Sequence, residues 1–494
     1  MQRRHLLTGL AAASTSAAWM PGWSAEAMPH AIPAAPSALL DTGLLPTGAA
    51  LREIPKLANA SVRSGHFQAT LTAAPIAVPL VPGHAPTTFW TYNGGLPGPL
   101  IELTEGDHVE ITFVNQLPQP STIHWHGLPV PPSQDGNPWD LVPPGGQRTY
   151  LFTLPAGCAG TYWYHPHPHH HTAEQAFRGL AGPLIVRPRH DPLAAIPERL
   201  LVVSDLKLDP NAAIAPNDAN DVMNGREGQF ALVNAQHQPV VPFHAAGRER
   251  WRIVNACSAR YLRLTLPGST FTLVGTDGGL LEAAQSGLTE LLLTPAQRVD
   301  VIVEAGARRD RGDVVAAVYG RGKMGDVAPE QARTLLSVDF AAVQSAALAP
   351  LPARLGKVPD LGRVTAHKRV VFSENMSMAG GVHSMQFLVN GREYDMQRMD
   401  LVSRAGEVER WELVNESDMD HPFHLHGTQF QVLQSEYDGV VTPAPFRAWR
   451  DTVNLRSGEK VWIKTVQRMR GVRMFHCHIL EHEDAGMMGQ LKVV

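Results

Sequence analysis

The segment Trp411–Asn415 reads WELVN, and two earlier segments of the chain repeat its pattern. Val109–Asn115 reads VEITFVN, and Trp251–Asn255 reads WRIVN. Each copy alternates apolar and polar residues with a period of two and ends in Val-Asn, which is typical of a half-buried strand that runs into a turn. The copies are 140 and 160 residues apart. This repeat predicts an all-β chain that uses one β-domain three times.

Length and composition agree with that prediction. A chain of 494 residues is too long for one ordinary core and favours about two to four domains. Its 43 glycines and 40 prolines indicate a turn-rich β-protein rather than a helical one. The formal net charge is −4 and the pI is near 6.6, so there is no basic face for nucleic acid or anionic lipid. We therefore expect no nucleic-acid partner and no membrane partner.

Histidines follow the repeat at a fixed distance. His124 lies nine residues after Asn115 and begins an H-W-H-G motif. His424 lies nine residues after Asn415 and begins an H-L-H-G motif. In the second copy the same position is Leu264. Side chains at i and i+2 of a strand share one face. The first and third domains therefore carry a His-x-His pair on one strand face, and the middle domain lacks it.

The ends of these two domains carry a second His-x-His pair each. His165–His167 precedes a G-P-L-I-V segment, much as His476–His478 precedes the final G-Q-L-K-V-V. Four pairs in matching registers predict a metal site where the first and third domains meet, and eight imidazoles suit three copper ions. The eight predicted ligands are His124, His126, His165, His167, His424, His426, His476 and His478.

A separate metal site is predicted by the segment Phe475–Met488, which reads FHCHILEHEDAGMM. His476 and His478 share one strand face, so Cys477 between them faces another site. A Cys thiolate with two imidazoles and a weak axial thioether is the ligand set of a blue-copper centre. Cys477, His482 and Met487 supply three of these groups. His421, three residues before the third H-x-H motif, completes the set.

At these motifs the chain resembles the multicopper oxidases, the group that includes laccases and bacterial cuprous oxidases. The resemblance covers most of the chain after about residue 45 and implies three cupredoxin-like β-sandwich (Greek-key) domains. We place them at residues 45–190, 191–350 and 360–494, with copper ligands in the first and third only.

The resemblance also implies four copper ions: one type 1, one type 2 and two type 3. The type 1 ion takes His421, Cys477, His482 and axial Met487, the type 2 ion takes His124 and His424, one type 3 ion takes His126, His165 and His478, and the other takes His167, His426 and His476.

The family reaction then gives these residues their roles. A small-molecule or metal-ion reductant (a phenol, an aromatic amine or a metal ion) gives single electrons to the type 1 copper. The electrons pass through Cys477 to the neighbouring histidines, and the trinuclear cluster reduces O2 to water. Asp135 and Glu483 match the positions of the family's proton-relay acids. Read without the family, Asp135 lies in an ordinary turn and Glu483 is a solvated charge.

Other functions remain open at this level. A cuprous oxidase for copper tolerance would gather Cu(I) on methionines, but the five methionines between Met376 and Met399 are more typical of core and surface filler. Asp418 and Asp420 could bind a substrate or simply form a solvated turn. A copper nitrite reductase has two domains and a simpler second site. A non-enzymatic cupredoxin-fold protein would show broken ligand motifs, and none of the twelve expected ligands is missing.

The N-terminus predicts export. Arg3 and Arg4 precede an apolar run and an Ala-Glu-Ala site, which is typical of a twin-arginine signal peptide over residues 1–27. No later apolar run reaches the length needed to span a bilayer. We therefore expect a periplasmic protein, and we expect it to be a monomer. Cys158 and Cys257 could form a disulfide there or remain buried thiols.

Overall fold

The structure is a computed structural model that describes residues 38–344, 348–379 and 382–494. The predicted signal peptide, residues 1–27, lies outside the described residues. Strands dominate the described ranges, and the three α-helices in them have no more than six residues each. None of these helices is long and apolar enough to cross a membrane. The predicted all-β fold class is confirmed.

The first third of the chain folds into two four-stranded sheets. The sheet orders are β2-β1-β4-β6 and β3-β8-β7-β5. The elements are β1 (His66–Val78), β2 (Thr87–Tyr92), β3 (Ile101–Thr104), β4 (His108–Asn115), β5 (His124–His126), β6 (Gln147–Thr153), β7 (Gly160–His165), α1 (Thr172–Phe177) and β8 (Gly182–Arg187).

The middle third forms a seven-stranded and a five-stranded sheet. The orders are β11-β10-β9-β13-β18-β15-β16 and β12-β20-β19-β14-β17. The elements are β9 (Glu198–Leu206), α2 (Ala219–Asn224), β10 (Phe230–Val233), β11 (Gln236–His237), β12 (Val240–Pro242), β13 (Arg248–Asn255), β14 (Leu262–Thr265), β15 (Phe271–Thr276), β16 (Gly279–Leu288), β17 (Glu290–Leu293), β18 (Arg298–Glu304), β19 (Arg311–Ala317) and β20 (Arg333–Asp339).

The last third forms a six-stranded and a five-stranded sheet. The orders are β22-β21-β24-β29-β26-β27 and β23-β31-β30-β25-β28. The elements are β21 (Ala366–Ala379), β22 (Val382–Val389), β23 (Leu401–Ser403), β24 (Val408–Asn415), β25 (His421–Leu425), β26 (Phe430–Tyr437), β27 (Val440–Pro443), β28 (Thr452–Leu455), β29 (Lys460–Val466), β30 (Gly471–Cys477), α3 (Leu480–Asp484) and β31 (Met488–Val493).

Each pair of sheets encloses its own apolar core. In the first domain, Ile111 from one sheet and Trp125 from the other belong to the same buried cluster. Separate clusters fill the second and third domains. Because alternate residues of each strand point into such a core, the period of two seen in the sequence is the signature of a sandwich. The cysteines are free and buried, and Cys158 and Cys257 lie in different cores, so they form no disulfide.

The repeated asparagine fixes the same turn in all three domains. The side-chain amides of Asn115, Asn255 and Asn415 each donate to two backbone carbonyls, one of them four or five residues further along. Each asparagine Oδ1 also accepts the backbone N–H two residues on. An asparagine can satisfy a buried turn in this way. The turn sets the start of the next strand, which is the one that carries the histidine pair.

Strand pairing then brings the histidine pairs together. His124 on β5 lies opposite His165 on β7, and His424 on β25 lies opposite His476 on β30. The two domains therefore present their pairs in corresponding registers. In the middle domain Leu264 on β14 is buried in the core instead.

Candidate metal centre

Three side chains of the third domain converge at the predicted blue-copper site. Their ligand atoms lie within 4.8 Å of one another, and His421 Nδ1 is 3.4 Å from both Cys477 Sγ and His482 Nδ1. All three are fully buried. Met487 is buried in the same core, and its backbone carbonyl accepts the Cys477 N–H at 3.0 Å. The four predicted residues are therefore neighbours at one end of β30.

The environment of Cys477 suits a thiolate only when a cation is present. Burial raises the pKa of this thiol well above its ordinary value, and the backbone N–H of Ile479, 3.3 Å from Sγ, lowers it by less. A bound metal ion reverses this balance, because a coordinating thiol loses its proton. The donor set therefore fits a thiophilic metal such as copper.

Three contacts that sequence reasoning missed orient the imidazoles of this site. Glu374 Oε1 lies 2.8 Å from His421 Nε2, and the carbonyl of Met223 accepts a hydrogen bond from His482 Nε2 at 3.1 Å. Phe387 stacks on the His482 ring with centroids 3.9 Å apart. With each Nε2 occupied, both rings direct Nδ1 towards Cys477, as outer-sphere partners of metal ligands do. Met223 and Glu374 belong to no repeated motif, so nothing in the sequence singled them out.

The eight histidines of the four predicted pairs form one buried cluster between the first and third domains. All eight side chains have no exposed surface. Nitrogen–nitrogen separations are 3.3 Å for His167–His476, 3.0 Å for His426–His476 and 3.4 Å for His126–His165. Two imidazole nitrogens that each lie about 2 Å from one metal ion have separations near these values.

Several nitrogens of the cluster have no hydrogen-bond partner. The Nδ1 atoms of His124 and His424 donate to the backbone carbonyls of Asp135 and Asp451, at 3.0 and 2.9 Å, and this leaves both Nε2 atoms unpartnered. Neither ring nitrogen of His478 has a partner. Buried polar atoms are normally paired. The lone pairs of these unpartnered nitrogens are therefore suited to binding metal ions.

Burial keeps these imidazoles in the form that binds metal. It lowers the pKa of seven of the eight, and neighbouring histidines lower it further in each case. For His476 the value falls to about 3. A neutral imidazole has a free lone pair and is the ligand form.

The two predicted acids lie beside this cluster rather than in solvent. Asp135 is fully buried, with Oδ1 3.2 Å from His124 Nδ1 and Oδ2 3.3 Å from His426 Nδ1. Glu483 Oε2 lies 3.2 Å from His476 Nδ1. Burial raises the pKa of Glu483 well above its ordinary value, and Asp484 raises it further. Each carboxylate therefore touches the ring nitrogen of a predicted ligand.

A third buried acid, Asp451, also touches the cluster and was missed by sequence reasoning. It groups with His126 and His424 as a candidate ligand set. Asp135 follows the start of its H-x-H motif by 11 residues, whereas Asp451 follows the start of the corresponding motif by 27, so the repeat does not reveal it.

Asp420, a candidate substrate contact, is largely buried. Its carboxylate accepts hydrogen bonds from Tyr319 and Asn454 at 2.8 and 3.0 Å, so it holds the protein structure together at this point.

Comparison with known proteins identifies the family. Models described as multicopper oxidase match residues 78–191, 197–338 and 362–494. A multicopper oxidase from Campylobacter jejuni, a metallo-oxidase, is 43% identical and superposes with a TM-score of 0.88 over 94% of this chain and 98% of its own. The chain belongs to the multicopper oxidase family.

Other relatives of this multicopper oxidase include one with the same family name and one named for cell division. The multicopper oxidase mco of Staphylococcus haemolyticus is 32% identical over 410 residues, which cover 81% of this chain and 83% of the relative. The cell division protein FtsP of Photorhabdus laumondii is 27% identical over 428 residues, 83% of this chain and 86% of its own. Membership of the family makes the three sandwiches cupredoxin-like, as predicted, and implies copper as the metal.

Proposed function

We propose that this multicopper oxidase couples the one-electron oxidation of a reducing substrate to the four-electron reduction of O2 to water. The observation that carries the proposal is the position of Cys477. It groups with His421 and His482, whereas its neighbours His476 and His478 belong to the eight-histidine cluster. One strand, β30, thus joins the two sites covalently. The twelve predicted ligands would hold four copper ions, in the type 1, type 2 and type 3 sets given by the family pattern.

Bound copper supplies the redox chemistry, and the chain supplies geometry and protons. Cys477 and the flanking peptide bonds form the shortest covalent connection between the two sites. Asp135 and Glu483 contact ring nitrogens of cluster histidines at 3.2–3.3 Å, so each is placed to hold a proton next to the place where O2 is consumed.

The surroundings of the type 1 site favour a metal ion as reductant. Neither His421 nor His482 has exposed surface, so a phenol cannot contact either ring edge directly. Glu374 covers the outer nitrogen of His421 with a carboxylate whose side chain is 6% exposed. A carboxylate at the electron entry point attracts cations. The likeness to the metallo-oxidase of C. jejuni supports the same preference; phenols and aromatic amines are the second candidates.

The alternative from another class is a non-enzymatic cupredoxin-fold protein, and one relative, FtsP, is named for cell division and not for an oxidase activity. All twelve predicted ligands are present and buried, which supports the oxidase. Elemental analysis separates the two: about four copper ions per chain is expected for the oxidase by the ligand count, and no copper for a protein that has lost its metals.

The decisive experiment is steady-state oxygen uptake by copper-loaded protein with Cu(I), Mn(II) and a panel of phenols. We expect uptake with at least one metal ion. A protein that is blue and fully loaded but consumes no oxygen with any of these reductants contradicts the proposed function. Periplasmic export is tested separately, since replacing Arg3 and Arg4 by lysine should retain the protein in the cytoplasm.

A further inference from the structure

The second domain, which carries no predicted copper ligand, extends a buried arginine to the edge of the histidine cluster. Arg298 opens β18 and has no exposed side-chain surface. Its Nη1 and Nη2 donate to Oδ1 and Oδ2 of Asp451 in the third domain, at 2.7 and 2.6 Å. A two-pronged contact of this kind fixes the plane of the carboxylate.

Asp451 in turn contacts one histidine from each copper domain. Its Oδ1 lies 3.1 Å from His126 Nε2, and its backbone carbonyl accepts from His424 Nδ1 at 2.9 Å. His126 therefore turns Nδ1, not Nε2, towards His165, 3.4 Å away, and His424 keeps Nε2 free. Outer-sphere partners set the tautomer and ring orientation of metal-binding histidines in this way.

Arg298 is itself held by all three domains. Its Nε donates to the carbonyl of Thr161 in the first domain at 2.9 Å, and Nη2 donates to the carbonyl of Asp277 in the second at 3.0 Å. Burial by itself lowers the pKa of this guanidinium, but the carboxylates of Asp451 and Asp277 more than reverse that, so the pKa ends above its ordinary value. The arginine is thus a fixed cation at the junction of the domains.

The glycine of the first H-x-H-G motif is part of the same arrangement. Gly127 has a φ of +85°, and a Cβ added there would overlap Asp451 Oδ2 and Arg298 Nη2. The chain therefore leaves room for the Arg298–Asp451 pair directly after His126. This second observation links the arginine to the histidine motif.

We propose that Arg298 is a positioning residue of the histidine cluster, through which the second domain fixes the rings of His126 and His424 by way of Asp451. The proposal rests on the proposed function, because it treats these histidines as copper ligands. Without the guanidinium, the fully buried Asp451 would be an unpaired charge beside them.

The test replaces the arginine and follows copper rather than turnover alone. Arg298→Met should weaken the retention of cluster copper against a chelator by about 10- to 100-fold, the usual cost of losing an outer-sphere partner. The type 2 signal in electron paramagnetic resonance should change, while the blue absorption and the type 1 signal stay as in the wild type. Arg298→Lys keeps the charge without the two-pronged contact, so its copper retention should lie between that of the wild type and that of Arg298→Met.

Arg252→Met is the matched control. Arg252 is also buried in the second domain, 1% exposed, and pairs with Asp300 at 2.8 Å and with Thr161 Oγ1 at 2.7 Å, yet makes no contact with Asp451. Its loss should disturb the same domain junction without changing copper retention. In addition, Arg298→Met combined with Asp451→Asn should retain copper no worse than Asp451→Asn alone, because the arginine acts through Asp451.

Wild-type protein without copper would overturn the proposed function itself. If the wild type holds copper, two results would overturn this inference only. One is wild-type copper retention in Arg298→Met, and the other is an equal loss of copper retention in Arg252→Met. Should Arg298→Met fail to fold, Arg298→Lys decides: an altered type 2 signal supports the inference, and wild-type retention with a wild-type signal overturns it.

Discussion

Replacing Glu374 by glutamine should separate metal-ion reductants from uncharged ones. Glutamine keeps an oxygen that can accept from His421 Nε2, the contact that spans 2.8 Å in the structure, so the type 1 site should keep its geometry and its blue absorption. What is lost is one negative charge at the outer edge of the site.

The size of the effect follows from Coulomb's law. A carboxylate about 4 Å from a monovalent cation stabilises it by roughly 1 kcal/mol in bulk water and about 4 kcal/mol at an effective dielectric constant of 20. The Glu374 side chain is 6% exposed, which places it between these limits. We therefore expect kcat/KM for Cu(I) to fall by about 10- to 100-fold, since about 1.4 kcal/mol corresponds to a factor of ten.

The assay is steady-state oxygen uptake with Cu(I) and, in parallel, with an uncharged phenol, for which kcat/KM should change little. Glu412→Gln is the control, because Glu412 lies on β24 in the same sheet and its ion pair with Arg369 is exposed. Exposed pairs contribute little. An unchanged kcat/KM for Cu(I), or an equal fall for the phenol, would refute the idea that Glu374 favours metal ions.

Four further predictions test the roles of the buried acids, of Gly127 and of the buried histidines. Asp135→Asn should slow oxygen consumption by about 10²- to 10⁴-fold, the usual contribution of an acid–base group, with the blue band intact; a lost blue band would indicate a structural role. Glu483→Gln should slow oxygen consumption similarly but leave anaerobic bleaching of the blue band by the reductant at its wild-type rate. Gly127→Ala should lower the free energy of unfolding by at least about 1–2 kcal/mol, because alanine is strained at positive φ and its Cβ would displace a buried ion pair; unchanged denaturation would contradict this. Finally, copper-free protein should lose stability as the pH falls below 6.5. The pKa of His476 in the folded protein is depressed to about 3, so the unfolded chain binds more protons between about pH 3 and pH 6.5. Equal unfolding free energies at pH 7 and pH 5 would contradict this depressed pKa.

The amino-acid sequence alone was enough to predict the all-β fold and to pick out twelve candidate ligands. Both follow from local rules. Alternation with a period of two marks a sandwich strand, and the same rule places His476 and His478 on one face and Cys477 on the other. The register of the repeat supplied His421 and showed that the middle domain lacks the pair. The structure brings His421, Cys477 and His482 together at one site and the four histidine pairs together at another.

Only the tertiary structure decided how these groups are oriented and held. The Glu374 side chain and the Met223 carbonyl contact the imidazoles of His421 and His482. Asp451, which pairs with Arg298, contacts His126 and His424. None of these four contacting residues belongs to a repeated motif. These contacts join residues that are 27 to 325 positions apart in the chain. A single residue that contacts a ligand from another strand, sheet or domain leaves no periodic trace, because its contact depends on how these elements pack together. Strand geometry decides which face a ligand lies on, and the packing of sheets and domains decides which ring nitrogen each histidine offers.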